Sequence, residues 1–153
     1  MKILIVEDHV DVLDCLRSYF IGRGFEVETA STVPDAMELV RHGAPDVAFI
    51  DLRLSGGDGE LVVKEIARLR EVNPKAPMTR MVVITADDDL KRRQELMRYG
   101  VSNYLFKPIT IRDLEELVNS IMVQTMPSPM EEISSEEEEQ PSPPVSQEPS
   151  QNE

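Results

Sequence analysis

Short apolar runs recur along the first 125 residues, and a stretch with helical spacing of apolar residues follows each of them. The first run is Ile3 to Val6, after which Leu13, Leu16 and Phe20 recur at the period of a helix. Five such strand–helix pairs can be counted. Continuous apolar strands need burial on both faces, and strand–helix–strand crossovers are right-handed. The sequence therefore predicts an α/β fold, a doubly wound five-stranded parallel sheet.

Turn-forming and capping residues separate these predicted elements. Asp87, Asp88 and Asp89 supply candidates for the N-cap of the fourth helix, where a carboxylate accepts free backbone N–H groups and suits the helix dipole. Gly100 ends that helix. The remaining predicted strands are 25–30, 47–51, 81–85 and 102–106.

The composition changes abruptly at Met126. The last 28 residues hold six Pro, six Ser and eight Glu, with no positive charge. Such a segment buries too little apolar surface to offset its ordering entropy, about 1–2 kcal/mol per residue for the backbone. We expect a folded domain at 1–125 and a disordered acidic tail at 126–153.

Charge and cysteine content exclude several classes of function. The net charge is −13, of which the tail holds −8 and residues 1–125 hold −5 (16 basic minus 21 acidic). An acidic chain does not favour nucleic-acid binding through phosphate contacts. The single cysteine, Cys15, excludes an internal disulfide framework and a Cys-rich zinc site.

The N-terminus gives no indication of export or membrane insertion. Its apolar run is only four residues long and is interrupted by Glu7 and Asp8, which matches neither a signal peptide nor a membrane span. The interpretation is a cytoplasmic protein without a membrane partner.

Polar side chains follow four of the predicted strands. Glu7 and Asp8 follow the first strand, Asp51 ends the third, Thr85 ends the fourth, and Lys107 follows the fifth. Sites in doubly wound sheets form at the carboxyl ends of the strands. These five side chains are therefore predicted to converge at one edge of the sheet.

Three converging carboxylates require a cation. At about 4 Å and an effective dielectric near 20, each like-charge pair costs roughly 4 kcal/mol. Lys107 offers one positive charge, and Mg²⁺, which prefers oxygen ligands, would offset the rest. Thr85 and Lys107 are able to donate to phosphoryl oxygens, and Asp51 is the best placed as a covalent phosphoryl acceptor.

These residues together resemble the receiver domains of two-component response regulators. The resemblance covers about residues 1–125 and rests on the strand ends above and on four further features. These features are the segment from Phe49 to Gly59 around Asp51, Ala86 after Thr85, Tyr104 in the fifth strand, and Pro108 after Lys107.

The resemblance implies the flavodoxin-like (βα)5 receiver fold and a role for each residue at the site. Asp51 would accept phosphate from a histidine kinase or a phosphotransfer protein. Mg²⁺ would be the cofactor, held by Glu7, Asp8 and Asp51 and by the backbone carbonyl of Arg53, with Asp8 as a direct ligand. Thr85 and Lys107 would contact the phosphoryl oxygens.

The resemblance also implies how the site changes and what responds to it. Tyr104 would change its exposure when Thr85 is drawn towards the phosphoryl group. An output partner would bind the fourth helix, the fifth strand and the last helix, and a phosphorylation-dependent homodimer is a further possible partner. The chain would not be an enzyme beyond accepting the group itself and slowly losing it. The loops that shape the site would contain Ala86, Pro108, Asp58 and Gly59, with a cis bond before Pro108.

The sequence departs from the family pattern just after Asp51. Leu54 and Ser55 stand where the family often has Met-Pro, and Gly56 follows, so this loop is expected to be more mobile than usual. Arg53 occupies a position that faces the attacking water in the family. We expect its guanidinium to pair with the phosphoryl group or with Glu7 and to affect dephosphorylation.

Two alternatives to a stand-alone phosphoacceptor remain. One is a receiver-like interaction module that works without phosphorylation, although such a module would be expected to have lost Asp51 or Lys107. The other is the N-terminal receiver of a longer regulator whose output domain lies outside this sequence. A nucleotide-dependent enzyme is disfavoured, since residues 7–11 contain no glycine for a phosphate-binding turn.

Overall fold

A computed structural model describes residues 1–125 as seven strands and five helices. Two of the strands, β4 and β5, are only two residues long. The elements are, in chain order, β1 (Lys2–Val6), α1 (Val10–Gly22), β2 (Glu26–Ala30), α2 (Val33–His42), β3 (Val47–Asp51), β4 (Arg53–Leu54), β5 (Gly57–Asp58), α3 (Glu60–Val72), β6 (Arg80–Thr85), α4 (Leu90–Arg98), β7 (Val101–Phe106) and α5 (Ile111–Thr125).

Five strands form one parallel sheet in the order β2-β1-β3-β6-β7. The order reverses at β1, which lies between β2 and β3, and this reversal is the point where ligands bind in open α/β sheets. The predicted fold class is confirmed: the chain has the doubly wound, flavodoxin-like receiver fold.

Helices cover both faces of the sheet, because the buried strands present apolar side chains in both directions. Leu4 and Ile50 belong to a core that includes residues of α2, α3 and α4. On the other face, the ring of Phe20 in α1 lies 4.9 Å from that of Phe49 in β3. Leu96 is the residue of α4 that packs in the core.

Local caps fix where the helices begin. Thr32 precedes α2 and its hydroxyl accepts a hydrogen bond from the N–H of Asp35 at 3.3 Å. Of the three aspartates before α4, Asp89 is the N-cap, and its carboxylate accepts from the N–H of Lys91 at 3.0 Å. These contacts satisfy N–H groups that have no partner inside the helix.

A buried carboxylate joins α2 to α3. Glu65 in α3 is 6% exposed and accepts hydrogen bonds from Arg41 in α2 at 2.8 Å and from Arg68 in α3 at 2.9 Å. Arg68 and Arg41 lower the pKa of Glu65 from its ordinary value of 4.5 to about 2. The ion pairs therefore hold a charge in a place from which water is largely excluded.

A small hairpin follows β3, where the sequence predicts a loop. Strands β4 and β5 pair in antiparallel fashion, with Arg53 opposite Asp58 and Leu54 opposite Gly57. Gly56 in the connecting turn has a φ of +89°, a conformation that favours glycine. The expectation of greater loop mobility concerns motion, and it stays a prediction.

The described part of the chain divides near residue 114. Residues 1–114 contain the sheet and the first four helices, and α5 continues from residue 115 into the second unit. None of the described helices is long and apolar enough to cross a membrane. The predicted tail at 126–153 lies outside the described residues, and the boundary at 125 stays a prediction.

Candidate functional site

The carboxylates at the ends of β1 and β3 meet because these two strands are neighbours in the sheet. Glu7, Asp8 and Asp51 each bring one oxygen to within 4.8 Å of the others. Glu7 is fully buried and Asp51 is 3% exposed, whereas Asp8 is half-buried. The predicted convergence of the three acids is present in the structure.

Lys107 reaches this cluster from the end of β7, across the end of β6. Its Nζ lies 2.6 Å from Asp51 Oδ2 and 3.0 Å from Glu7 Oε2. The peptide bond between Lys107 and Pro108 is cis, as the resemblance implies, and Pro108 itself is exposed. One ammonium thus contacts two buried carboxylates at once.

Burial and mutual hydrogen bonds shift the pKa values of Glu7 and Lys107. Burial raises the pKa of Glu7, and the hydrogen bond that it shares with Asp51 raises it further. For Lys107, burial opposes the charged form, but the hydrogen bonds to Asp51 and Glu7 outweigh it and raise the pKa. The contacts therefore favour the charged form of Lys107, whereas burial and Asp51 disfavour the charged form of Glu7.

The hairpin after β3 supplies donors to the same carboxylates. The N–H of Arg53 donates to Asp51 Oδ1 at 3.0 Å. Asp8 Oδ2 accepts from the N–H of Ser55 at 2.6 Å and also from the Ser55 hydroxyl. The two donors of Ser55 lower the pKa of Asp8 and favour its charged form.

Asp58 and Gly59 connect the hairpin to α3. A Cβ at position 59 would lie 2.9 Å from the carbonyl carbon of Asp51 and still closer to its oxygen, so only glycine fits beside the Asp51 backbone. Asp58 accepts from the N–H of Glu60 at 2.9 Å and forms an ion pair with Arg92 in α4. The hairpin is thereby joined to α4 as well as to α3.

Thr85 and Ala86 lie at the end of β6, beside the cluster. Thr85 is 2% exposed, and its hydroxyl oxygen accepts from the N–H of Asp87 at 3.0 Å. Its carbonyl accepts from the N–H of Lys107 at 2.9 Å, which ties the two strand ends together. Ala86 is exposed.

Tyr104 lies one strand away from the cluster and contacts α4. Its hydroxyl donates to the carbonyl of Arg93 at 2.9 Å, and the Arg93 guanidinium lies 5.1 Å from the ring centroid. Burial raises the pKa of Tyr104. In this conformation Tyr104 is half-buried and bonded to the helix whose surface is the expected partner site.

The Arg53 side chain pairs differently from the expectation. Its Nη2 lies 3.0 Å from Asp87 Oδ2, while the cation that contacts Glu7 is Lys107. The Arg53 side chain is 71% exposed. Arg53 therefore links the hairpin to the loop between β6 and α4, at the mouth of the site.

The sequence pattern does not indicate two contributors to the site. Ser55 departs from the family pattern, but its contact with Asp8 spans 47 residues of sequence. The pairing of Arg92 with Asp58 spans 34 residues. The replacement of proline by a residue with two donors was the one indication available for Ser55.

The donor set suits a hard divalent cation. Three carboxylates lie within 4.8 Å of one another, and Lys107 contacts two of them, which leaves an excess of negative charge. All of the ligand atoms are oxygens, which Mg²⁺ prefers. The site could therefore hold a metal ion between Glu7, Asp8 and Asp51.

Comparison with known proteins places this architecture in a family. The chain is 33% identical over 132 residues to the photosynthetic apparatus regulatory protein RegA of Rhodobacter capsulatus, covering 85% of this chain and 67% of the relative. It is 35% identical over 107 residues to the alginate biosynthesis transcriptional regulatory protein AlgB of Pseudomonas aeruginosa, covering 70% of this chain. That match spans only 22% of the length of the relative.

A solved structure has the same fold. A two-component response regulator from Clostridium difficile superposes with a TM-score of 0.68 at 22% identity, covering 81% of this chain and 97% of that chain. The family model described as the response regulator receiver domain matches residues 3–119. With this match over most of its length, the chain belongs to the response regulator receiver domain family.

Proposed function

We propose that Asp51 accepts a phosphoryl group from a histidine kinase or a histidine phosphotransfer protein in a Mg²⁺-dependent reaction. The observation that carries this proposal is the meeting of Glu7, Asp8 and Asp51 within 4.8 Å, with the Lys107 ammonium beside them. Membership of the receiver family supports the same role, since receiver domains of response regulators interact with kinases and output domains.

The transfer requires only the exchange of one bond to phosphorus for another. A carboxylate oxygen of Asp51 attacks the phosphorus, and the bond from phosphorus to the donor's imidazole nitrogen breaks, with its electron pair left on nitrogen. Lys107 and Thr85 donate to the phosphoryl oxygens as charge develops on them. The chain thus accepts the group on its own side chain and is not an enzyme acting on a separate substrate.

The metal would be held by Glu7, Asp8, Asp51 and the backbone carbonyl of Arg53. When bound, Mg²⁺ offsets the charge of the carboxylates and of the phosphoryl oxygens. The buried state of Glu7 and Asp51 supports this requirement, because two carboxylates with little access to water need more positive charge than Lys107 alone supplies.

An apolar groove beside Lys107 supports docking of a protein donor. It has a volume of about 590 Å³ and lies between α1 and residues 107–114, which include the first turn of α5. Val12 and Cys15 line it from α1, and Pro108 and Ile111 line it from the other side. A donor helix seated there would bring a phosphohistidine to the carboxylates in what we propose is a cytoplasmic relay.

Thr85 and Tyr104 would transmit the effect of phosphorylation to the protein surface. Both residues line one small cavity together with Leu96 of α4, so a shift of Thr85 changes the space that the Tyr104 ring occupies. The Tyr104 hydroxyl would then lose its bond to the Arg93 carbonyl, and the surface of α4 and β7 would change. Phosphate shifts this equilibrium only by its different affinity for the two states.

Incubation with acetyl phosphate tests the proposal directly. We expect the intact mass of the wild type to increase by one phosphoryl group in the presence of Mg²⁺ and not with a chelator. The Asp51→Asn variant is expected to gain nothing. A wild type that gains no phosphoryl group would favour the alternative, an interaction module that works without phosphorylation.

A longer regulator is the second candidate context for this receiver. The match to the Pseudomonas aeruginosa relative covers only 22% of that protein, so the relative continues well beyond the receiver. Mass spectrometry of the protein produced from its own gene would give the full chain length, and a chain that ends at Glu153 would exclude this candidate.

A further inference from the structure

Two backbone N–H groups at the start of the hairpin donate to two of the three carboxylates. Arg53 lies in β4, and Ser55 is the first residue of the turn that follows this strand. Their N–H groups donate to Asp51 Oδ1 at 3.0 Å and to Asp8 Oδ2 at 2.6 Å. Leu54 between them is 8% exposed, so its burial holds this alignment in place.

Ser55 makes two contacts with the same oxygen. Its hydroxyl and its N–H both donate to Asp8 Oδ2. Neither Ser55 donor contacts Oδ1, so Ser55 leaves that oxygen of Asp8 to a metal ion. Asp8 is the most exposed of the three acids, and without these contacts its carboxylate would be free to rotate.

We propose that Ser55 is a positioning residue for Asp8, which fixes the carboxylate in the orientation that binds Mg²⁺. This inference rests on the proposed function, because it assumes that Asp8 is a metal ligand. Hydrogen bonds to a ligating carboxylate restrict its orientation before the ion arrives, so less rotamer entropy is lost on binding. The residue that replaces the family's proline thus provides a donor pair that proline lacks.

Competition between Ser55 and the metal ion for one oxygen would change the Mg²⁺ affinity in the opposite direction. If Ser55 and the ion competed for the same oxygen, removal of the hydroxyl would strengthen metal binding. If Ser55 positions the carboxylate, removal weakens binding. The direction of the change in Mg²⁺ affinity therefore decides between the two.

Titration of the full chain with MgCl₂, followed by isothermal calorimetry or by amide chemical shifts, measures this affinity. Loss of an outer-shell partner commonly costs 10–100-fold in metal affinity, and Ser55→Ala removes one of two donors, so we expect about tenfold weaker binding. Ser55→Thr keeps both donors and is expected to restore the wild-type affinity. Ser102→Ala is the matched control, since that hydroxyl bonds the carbonyl of Met81, away from the acids.

The outcomes separate this inference from the proposed function. Unchanged or tighter Mg²⁺ binding in Ser55→Ala would overturn the positioning role, as would a wild type that binds no Mg²⁺. Loss of affinity in Ser55→Ala accompanied by loss in Ser102→Ala would also overturn it, because the effect would then be general. A wild type that binds Mg²⁺ but gains no phosphoryl group would instead overturn the phosphoacceptor proposal alone.

Discussion

Lys107→Met removes the ammonium from the candidate site and keeps a side chain of similar length and apolar stem. In the wild type, Nζ lies 2.6 Å from Asp51 and 3.0 Å from Glu7, and both carboxylates are almost fully buried. The variant leaves these two acids facing each other without a cation. We expect a large loss in the free energy of unfolding, measured without Mg²⁺ at neutral pH.

The magnitude follows from the geometry. Two unit charges 4.8 Å apart, the upper limit for the ligand atoms, repel by about 3.5 kcal/mol at an effective dielectric of 20. Removing one partner of a buried ion pair costs about 3–5 kcal/mol. Lys107 is 25% exposed, and the pKa of Glu7 is already raised by burial and by Asp51, so proton uptake by Glu7 limits the repulsion. We therefore expect the lower end, a loss of about 3 kcal/mol.

Urea unfolding followed by circular dichroism measures the loss, and two further variants test its cause. Lys64→Met is the matched control: Lys64 also pairs with a carboxylate, Glu60 at 3.2 Å, but on the surface, so the change should be near the error of the measurement. Adding Glu7→Gln to Lys107→Met removes one of the facing charges. The double variant should recover about 2 kcal/mol of the loss.

Two results would refute this reasoning. One is a loss in Lys107→Met no larger than that in Lys64→Met. The other is additivity of Glu7→Gln and Lys107→Met, because independent effects would mean that the unpaired acids do not repel. Either result would also remove the main electrostatic support for a divalent cation at this site.

Three other variants test separate parts of the structure. Glu65→Gln should lower the free energy of unfolding by about 1 kcal/mol at pH 7. Because the pKa of Glu65 is lowered to about 2, its stabilising effect is full above pH 4.5 and is lost as the pH falls towards 2. The difference in urea midpoint between variant and wild type should therefore be smaller at pH 3 than at pH 7, and equal differences would contradict this. Gly59→Ala should lower the free energy of unfolding by about 1–3 kcal/mol, because the added Cβ would overlap the backbone carbonyl of Asp51. Gly22→Ala has open space around its Cβ and should cost no stability in the same urea experiment. Arg53→Ala should change the half-life of the phosphorylated protein, measured by intact mass over time, and identical half-lives would rule out a role of this side chain in dephosphorylation.

The fold and the central residues of the site could be predicted because both depend on regular patterns. Continuous apolar runs such as Ile3 to Val6 indicate buried parallel strands, and all four residues of that run are buried. The rule that strand ends meet at one edge then brings Asp51 and Lys107 together, although 56 residues separate them. Neither step requires knowledge of an individual contact.

The parts that could not be predicted depend on contacts between particular side chains. Strands β4 and β5 are two residues long, so they contain no hydrophobic period that would distinguish them from a loop. The partners of Ser55 and Arg53 depend on where the hairpin turns, and the position of that turn is not encoded in any repeat. For this reason the pairing of Arg53 with Asp87, instead of Glu7, appears only in the structure.

The position of Lys107 after an edge strand has a mechanical consequence. Among residues 1–125, strand β7 has a neighbouring strand on one side only. An edge of this kind is where a sheet begins to fray and where other strands can pair. Detachment of the end of β7 would withdraw the ammonium from two buried acids, and their repulsion opposes that opening. The N–H of Lys107 donates to the carbonyl of Thr85 in β6, and the N–H of Leu105, two residues earlier, faces the same strand. Amide hydrogen exchange at Leu105 and Lys107 should therefore be slow for an edge strand, and the ammonium of Lys107 would also protect the sheet against fraying.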